Sequence, residues 1–406
     1  MTMRRLLFVA LLSLGAGALA QDKAPTVRPE VGKPLQAAID ALKAKRAKEA
    51  VARAREAQAV PDKTPYESYL VTRVLGQAAA LAGDAATAAP LLDNAAGSSA
   101  APEGDRRQLL EMAAGQYYAS KEYSKAAATA TKYFQHGGSS KAVRTIYINS
   151  LFQAGNYGAA ARELASDVEA DERAGKTPPE DHLQLLANAY AQTKDTAGYG
   201  RTMEKLVASY PKREYWLSVL HNVMARQGYN DRLNIDVARL KLESGTMTKA
   251  EEYVDYAQMS LIEGFPVEAT KVIEKGYAAG VLGVGAEAER HKRLRDLAAK
   301  NLAADKKSIA ESEKQDASSK DGKTLFNEGF NYVLHGRSEK GLAMMQQGMK
   351  MGGSFRRPDH AKLQLGYAYH VAGQNERAVQ MFKSVQGTDG AAALARLWVL
   401  RLSRSS

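Results

Sequence analysis

The chain has 406 residues, of which 45% are hydrophobic and 25% charged, a composition ordinary for a globular protein. It has no cysteine, which excludes disulfides, thiolate metal sites, thiol nucleophiles and a lipid on an amino-terminal cysteine. The formal net charge of +11 suits anionic partners, but the basic residues are mixed with acids and lack the aromatic interleaving typical of nucleic-acid binding.

Residues 1–20 have the pattern of a secretory signal peptide. Two arginines precede an apolar run over residues 6–14, and Ala18 and Ala20 form an A-x-A cleavage pattern before Gln21. The run is short for a membrane span, although an uncleaved anchor is the alternative interpretation. We therefore predict a periplasmic protein, exported by a cleaved signal, without a lipid anchor or a membrane span after cleavage.

A repeating region follows a polar stretch, residues 21–33, whose composition and prolines predict a disordered leader. From residue 34 to residue 285 similar segments recur, and a spacing of 34 residues separates Ala126 from Ala160. Equivalent positions along the chain give about nine units. Such a period predicts stacked units, because one unit alone cannot bury its apolar face.

The pattern within each unit predicts two helices joined by a short turn. In one unit Leu183, Leu186 and Tyr190 recur at the spacing of one helix face. Glycines mark predicted turns, where a positive φ would end the first helix: Gly155, Gly228, Gly264, Gly336 and Gly373. Alanines at predicted helix crossings permit close approach: Ala126, Ala160, Ala269 and Ala378. Since sustained period-2 segments are absent, we predict an all-α fold.

These units resemble the tetratricopeptide repeat family in spacing and residue class over most of the chain. The clearest units lie at residues 107–213 and 359–386, whereas the family's aromatic residue at the start of the first helix is mostly absent. The resemblance implies an α-solenoid, a superhelix of about nine helix–turn–helix repeats. It also implies a concave groove that binds proteins or peptides and usually no catalysis.

Two further segments complete the predicted domain organisation. Residues 286–323 are dense in charges of both signs, which predicts a solvated helix ending in a linker near Gly322. This segment is either a spacer or a hinge. Residues 324–406 predict a two-repeat array, whose last segment, from Ala391, is a helix that caps the final apolar face.

Residues able to perform catalysis or bind a metal do not form a recognisable group. The seven histidines lack metal-binding spacing, and the nearest candidates, His360 and His370, are ten residues apart. No nucleophile elbow or phosphate-binding loop occurs, and the glycine-rich residues 280–285 follow no predicted strand. We predict no enzyme activity, cofactor or metal; an unrecognised enzyme remains the second alternative.

A series of polar side chains is the strongest candidate for a binding site. In the family the inward face of the first helix lines the groove, and one such position is a carboxamide in four units: Asn149, Asn188, Asn222 and Gln258. Four residues further along three of these helices lie Gln153, Gln192 and Arg226. A carboxamide both donates and accepts hydrogen bonds, so it can pair with a peptide backbone. Similar amide ladders occur in tetratricopeptide arrays; chance alignment is the alternative.

A second candidate patch lies near the carboxyl end, where aromatic and basic residues cluster in the sequence: Phe330, Tyr367, His370, Arg356 and Arg357. Aromatic residues are more often part of the core than of a binding site.

The sequence as a whole predicts a non-catalytic periplasmic scaffold that holds a peptide or partner protein in its groove, in cell-envelope assembly, secretion or transport. The alternative is an accessory protein of an exported-polysaccharide pathway. It would bind acidic glycan through cations and aromatic residues such as Tyr118, Tyr147 and Tyr190.

Overall fold

A computed structural model describes residues 26–312, 321–351 and 355–403. Within these ranges all regular secondary structure is helical. The chain divides into two compact units, with the boundary between residues 160 and 161. The predicted signal peptide, residues 1–20, and most of the predicted linker lie outside the described residues.

The first unit contains α1 (Pro29–Lys43), α2 (Ala47–Ala59), α3 (Pro65–Leu81), α4 (Ala85–Gly97), α5 (Glu103–Ala119), α6 (Tyr123–Gln135) and α7 (Lys141–Gln153). The boundary falls within α8 (Tyr157–Arg173). The second unit continues with α9 (Glu180–Gln192), α10 (Thr196–Ser209), α11 (Arg213–Met224), α12 (Asn234–Glu243), α13 (Ala250–Ile262) and α14 (Pro266–Ala278). Its remaining helices are α15 (Ala288–Ser312), α16 (Gly322–Leu334), α17 (Ser338–Met351), α18 (Pro358–Val371), α19 (Asn375–Lys383) and α20 (Ala391–Leu402).

Nine turns between consecutive helices share one backbone feature in the described part of the chain. Each contains one residue with a positive φ between 56° and 82°, which we call the turn residue: Lys45, Gly83, Lys121, Gly155, Lys194, Gly228, Gly264, Gly336 and Gly373. In eight of them the next N–H donates to the carbonyl five residues before it, as Asn156 does to Leu151 at 2.9 Å. This 6→1 bond is the helix-ending bond of the Schellman motif. The structure thus confirms the predicted glycine turns, and lysines occupy the same conformation in three units.

The helices of these pairs meet through small side chains. The alanines predicted at the crossings are fully buried: Ala126, Ala160, Ala269 and Ala378. In the first unit Ala160 packs in one cluster with Leu151 and Ala127. The predicted all-α fold of about nine helix–turn–helix repeats is confirmed by these pairs.

The carboxy-terminal helices are packed onto earlier helices of the second unit. Phe330 on α16 meets Phe265 with ring centroids 4.8 Å apart, and α20 packs against α10, α11 and α12. The predicted charged helix is present as α15, and its Asp305 accepts a bond from Asn331 on α16 at 2.7 Å. The boundary between the compact units, at residues 160 and 161, therefore differs from the predicted boundary between the arrays, at residues 286–323. A hinge at residues 286–323 stays a prediction.

The amino-terminal end of the fold differs from the predicted leader. Helix α1 begins at Pro29, and Val31 is completely buried in the first hydrophobic cluster. The carboxylate of Glu67, on α3, accepts bonds from the backbone N–H and the guanidinium of Arg28 at 2.9–3.2 Å. A contact across 39 residues is invisible to local composition, which explains the difference.

We expect Glu67 to be the group that holds residues 28–33 in their folded position, through its bonds to Arg28. The side-chain bond from Arg28 and backbone bonds lower the pKa of Glu67 to about 2. A lowered folded-state pKa means that the carboxylate stabilises the fold above its ordinary pKa, near 4.5, and loses this effect as the pH falls toward 2. We expect Glu67→Gln to reduce hydrogen-exchange protection of α1 at neutral pH. The control is Glu49→Gln, which breaks only an exposed ion pair; equal protection in both variants would refute the assignment.

Candidate binding site

The four predicted carboxamides occupy one structural position. Each lies six residues before the turn residue of its own helix pair, which we call the −6 position: Asn149, Asn188, Asn222 and Gln258. The position is shared because the first helix of each pair ends at the same distance from its apolar positions. Asn149 lies in the first compact unit, and the other three lie in the second.

These carboxamides are accessible to different degrees. Asn188 and Gln258 are exposed, whereas Asn149 and Asn222 are partly buried. Asn149 donates from Nδ2 to the carbonyl of Thr145, one turn earlier on its own helix, at 2.9 Å. The other three have no hydrogen-bond partner among the described residues, so their donors and acceptors are available to a ligand.

A second accessible position lies two residues before each turn residue, which we call the −2 position. The predicted Gln153, Gln192 and Arg226 occupy it, and all three are exposed. In the next repeat this position is Ile262, which is 83% exposed and which the sequence reasoning missed. Its signal was the common distance from the turn. The same rule adds one more carboxamide, Gln77, at a −6 position in the first unit.

Gly200 on α10 makes room for two of the predicted side chains. A Cβ atom at this position would lie 2.9 Å from Nδ2 of Asn222 and 3.4 Å from a terminal nitrogen of Arg226. The carboxamide of Asn222 on α11 and the guanidinium of Arg226, in the turn that follows α11, therefore lie against the surface of α10. Sequence reasoning did not single out this glycine, because its neighbour in space is 22 residues away.

The −6 position has another role in the last two repeats. There it is aromatic, as Phe330 and Tyr367, and these rings face the guanidinium of Arg239 from α12, at 5.3 Å and 4.4 Å from its carbon. Such a cation over an aromatic face is attracted by the ring quadrupole. The second predicted patch is therefore divided: Phe330 is fully buried, whereas Arg356 and Arg357 are exposed.

Arg239 is the centre of a buried charged cluster. Its Nε and one terminal nitrogen donate to both oxygens of Glu268 at 2.8 Å, and its other terminal nitrogen donates to Asp236 at 2.9 Å. Tyr256 donates to the same Glu268 at 2.8 Å. Burial raises the pKa of the Glu268 carboxyl, but Arg239 and Tyr256 outweigh this effect, so the pKa is lowered. Every member has a partner, which is typical of a structural contact between α12, α14 and the last repeats.

The residues considered for metal binding or catalysis have ordinary partners. His360 lies 2.7 Å from a carboxylate oxygen of Asp389, and His370 is bonded to Asn375 at 2.9 Å. Among the described residues no cluster of three or more His, Asp or Glu side chains could hold a metal ion. In the same part of the chain no helix combines the length and the apolar composition needed to cross a bilayer.

The chain is similar in fold to tetratricopeptide repeat proteins. A repeat protein from Parabacteroides merdae is 14% identical over 66% of this chain and 98% of its own, with a TM-score of 0.32. Yeast Tom70 is 10% identical over 92% of this chain and 96% of its own, with a TM-score of 0.26. The TPR2AB domain of yeast Sti1 is 10% identical, covering 73% and 99% of the two chains, with a TM-score of 0.24.

No family model and no curated protein matches the sequence. At these identities and TM-scores the similar structures indicate nothing about a ligand. The fold described above rests on the helix pairs of this chain itself.

Proposed function

We propose that this protein is a non-catalytic scaffold that binds an extended peptide, or an extended segment of a partner protein, along the −6 carboxamides of its second unit. The observation that supports this most directly is the register. Three successive first helices of the second unit, α9, α11 and α13, carry a carboxamide at the same distance from their turns: Asn188, Asn222 and Gln258. Within the described part of the chain none of these three side chains has a hydrogen-bond partner. Asn149 is the same kind of group in the first unit.

A carboxamide series suits a peptide backbone better than a particular side chain. Each carboxamide can donate to a carbonyl and accept from an N–H, and every residue of an extended peptide offers this pair. One such bond contributes only about 0.5–1.5 kcal/mol, so affinity would come from repetition. The neighbouring −2 positions differ between repeats, as Gln192, Arg226 and Ile262, and would provide what selectivity the site has.

The cellular setting forms part of the same proposal. The signal-peptide pattern at residues 1–20 supports export to the periplasm, where such a scaffold would serve envelope assembly, secretion or transport. Fractionation of cells that produce the full chain tests this directly: mature protein starting near Gln21 in the periplasm is expected.

The binding proposal is tested by changing Asn188, Asn222 and Gln258 together to alanine. Losing three bonds should weaken capture of partners from periplasmic extract by about tenfold or more. The matched control changes three exposed carboxamides on second helices of the pairs: Gln58, Asn94 and Gln135. If both triple variants recover the same partners in the same amounts, the carboxamide series does not bind them.

A single substitution, Gly200→Ala, is expected to separate binding from folding. The added methyl group would displace the side chains of Asn222 and Arg226, which are flexible enough to move away at little cost. Alanine also favours a helix over glycine by about 0.5–1 kcal/mol, so stability should stay equal or rise.

Peptide affinity and thermal unfolding of Gly200→Ala are measured beside those of Gly104→Ala, whose added methyl group meets nothing. Weaker binding with unchanged stability is expected for Gly200→Ala alone. Unchanged affinity would remove α11 from the binding site.

A further inference from the structure

A histidine joins two distant helices of the second unit. His370 lies in the last turn of α18, and its Nε2 is 3.7 Å from Oε2 of Glu243, the last residue of α12. Its other ring nitrogen, Nδ1, is 2.9 Å from the side-chain oxygen of Asn375. The ring therefore connects α12 to the first residue of α19.

Both ring nitrogens of His370 face oxygen acceptors. A neutral imidazole has a single N–H and would leave the lone pair of its other nitrogen opposite an oxygen. The imidazolium donates from both nitrogens and also places a positive charge beside a carboxylate. With the Asn375 oxygen turned toward the ring, this geometry favours the protonated ring whichever tautomer the neutral form adopts.

The charged groups of the surrounding helices both raise and lower the affinity of His370 for its proton. The carboxyl end of α18 favours a cation through its dipole. Arg401 on α20 donates to the backbone oxygen of Glu243 at 2.8 Å. Its positive charge lowers the pKa of His370. Lys275 on α14 acts on Glu243, and Tyr367, on the same helix as His370, is neutral at ordinary pH because burial raises its pKa.

The balance of these effects favours the ion pair. Burial lowers the pKa of His370, but the carboxylate of Glu243 and the side-chain oxygen of Asn375 outweigh burial, so its pKa is raised above the ordinary 6.5. The neighbouring His370 ring in turn holds the pKa of Glu243 below its ordinary value. Both partners thus shift in the direction of a charged pair.

We propose that His370 is a proton-controlled clasp: the protonated ring fastens α18 to α12, and loss of the proton loosens the packing of the carboxy-terminal repeats on α12. A histidine titrates within the pH range that a cell envelope experiences, so this contact gives the fold a reversible response to pH. The clasp is independent of the proposed peptide binding.

The direction of the response follows from the two pKa shifts. His370 gains affinity for its proton on folding, so its contribution to stability is complete below pH 6.5 and is lost as the pH rises through its raised pKa. Glu243 loses affinity for its proton on folding, so its contribution is present above pH 4.5 and is lost on further acidification. The ion pair between His370 and Glu243 is therefore formed between pH 4.5 and the raised pKa of His370, and it is lost at higher pH.

The chain contains its own reporter for this contact. The ring centroid of Trp398, on α20, lies 5.3 Å from that of His370. The chain has one other tryptophan, Trp216. In a Trp216→Phe background the fluorescence comes from Trp398 alone, and an imidazolium next to an indole quenches it.

The experiment is a fluorescence titration of the full mature chain from pH 5 to pH 9. We expect one step with a midpoint above 6.5, in which emission rises as the proton leaves. His370→Gln should abolish the step, and Glu243→Gln should move its midpoint to lower pH. His335→Gln, which removes a histidine paired with Asp305 on α15, should leave it unchanged.

A step that survives His370→Gln, or that keeps its midpoint in Glu243→Gln, would overturn the clasp. If either variant fails to fold by circular dichroism, the NMR titration of the His370 ring protons in the unsubstituted chain decides. A midpoint above 6.5 with slower amide exchange in α18 below it supports the clasp, whereas a midpoint at or below 6.5 refutes it.

Discussion

Replacing Gly341 by alanine is expected to lower the free energy of unfolding by about 1–3 kcal/mol, although alanine is the better helix former. Gly341 lies where α17 crosses α16, opposite Gly329. A Cβ atom at 341 would lie 2.5 Å from the carbonyl oxygen of Gly329 and 2.8 Å from the backbone nitrogen of Val333. Backbone atoms of a helix cannot turn aside as a side chain can, so the two helices would have to separate.

The control for this prediction is Gly115→Ala, in the middle of α5. A Cβ atom there would meet only Cδ1 of Ile146, at 4.0 Å, which is ordinary contact. We expect this variant to gain about 0.5–1 kcal/mol, because alanine restricts the unfolded chain. Chemical denaturation of both proteins followed by circular dichroism measures the difference. A gain of stability in Gly341→Ala would contradict the close crossing of α16 and α17.

Replacing Arg239 by methionine is expected to have the largest effect of any single change considered, a loss of about 3–5 kcal/mol. The guanidinium is 2% exposed and neutralises two buried carboxylates, Glu268 and Asp236. Without it both carboxylates would remain charged in a medium that solvates them poorly, or take up protons. The contact of α12 with the last two repeats should loosen first, because Phe330 and Tyr367 lose the cation between them.

The chain contains a matched control for Arg239. Arg295 donates to both oxygens of Glu274 at 2.7 Å and lies 4.6 Å from the ring centroid of Tyr277. The geometry is nearly the same, but both charged side chains are 47% exposed. Arg295→Met should therefore cost only a small part of what Arg239→Met costs, because water solvates the remaining carboxylate.

A second variant identifies the cause of the loss at Arg239. Adding Glu268→Gln to Arg239→Met should recover part of the stability, since one buried charge is removed with its partner. Denaturation at pH 7 of the single and double variants measures this recovery. Equal losses in Arg239→Met and Arg295→Met, or a double variant less stable than the single one, would mean that burial of charge is not what makes Arg239 important.

The repeat period by itself determines much of the local structure of this protein. Helix-face spacing and turn residues are local properties, since a backbone hydrogen bond in a helix spans four residues and the helix-ending bond spans five. The sequence therefore predicted the turns at Gly155, Gly264 and Gly373, and it predicted the common position of the four carboxamides. It also predicted that small residues such as Ala160 and Ala378 lie where paired helices cross, and both are fully buried.

Only the tertiary structure decided which surface each equivalent position meets. The −6 position is an accessible carboxamide at Asn188 and a fully buried aromatic ring at Phe330, because α12 covers the last repeats through Arg239. Likewise Arg28 becomes ordered through Glu67, 39 residues away. Such contacts depend on how distant segments pack, and burial changes the free energy of a charge far more than any local preference does. The repeated spacing of apolar and turn residues thus determines the helices and their turns, whereas long-range packing decides whether each helix face is buried in the core or exposed to solvent.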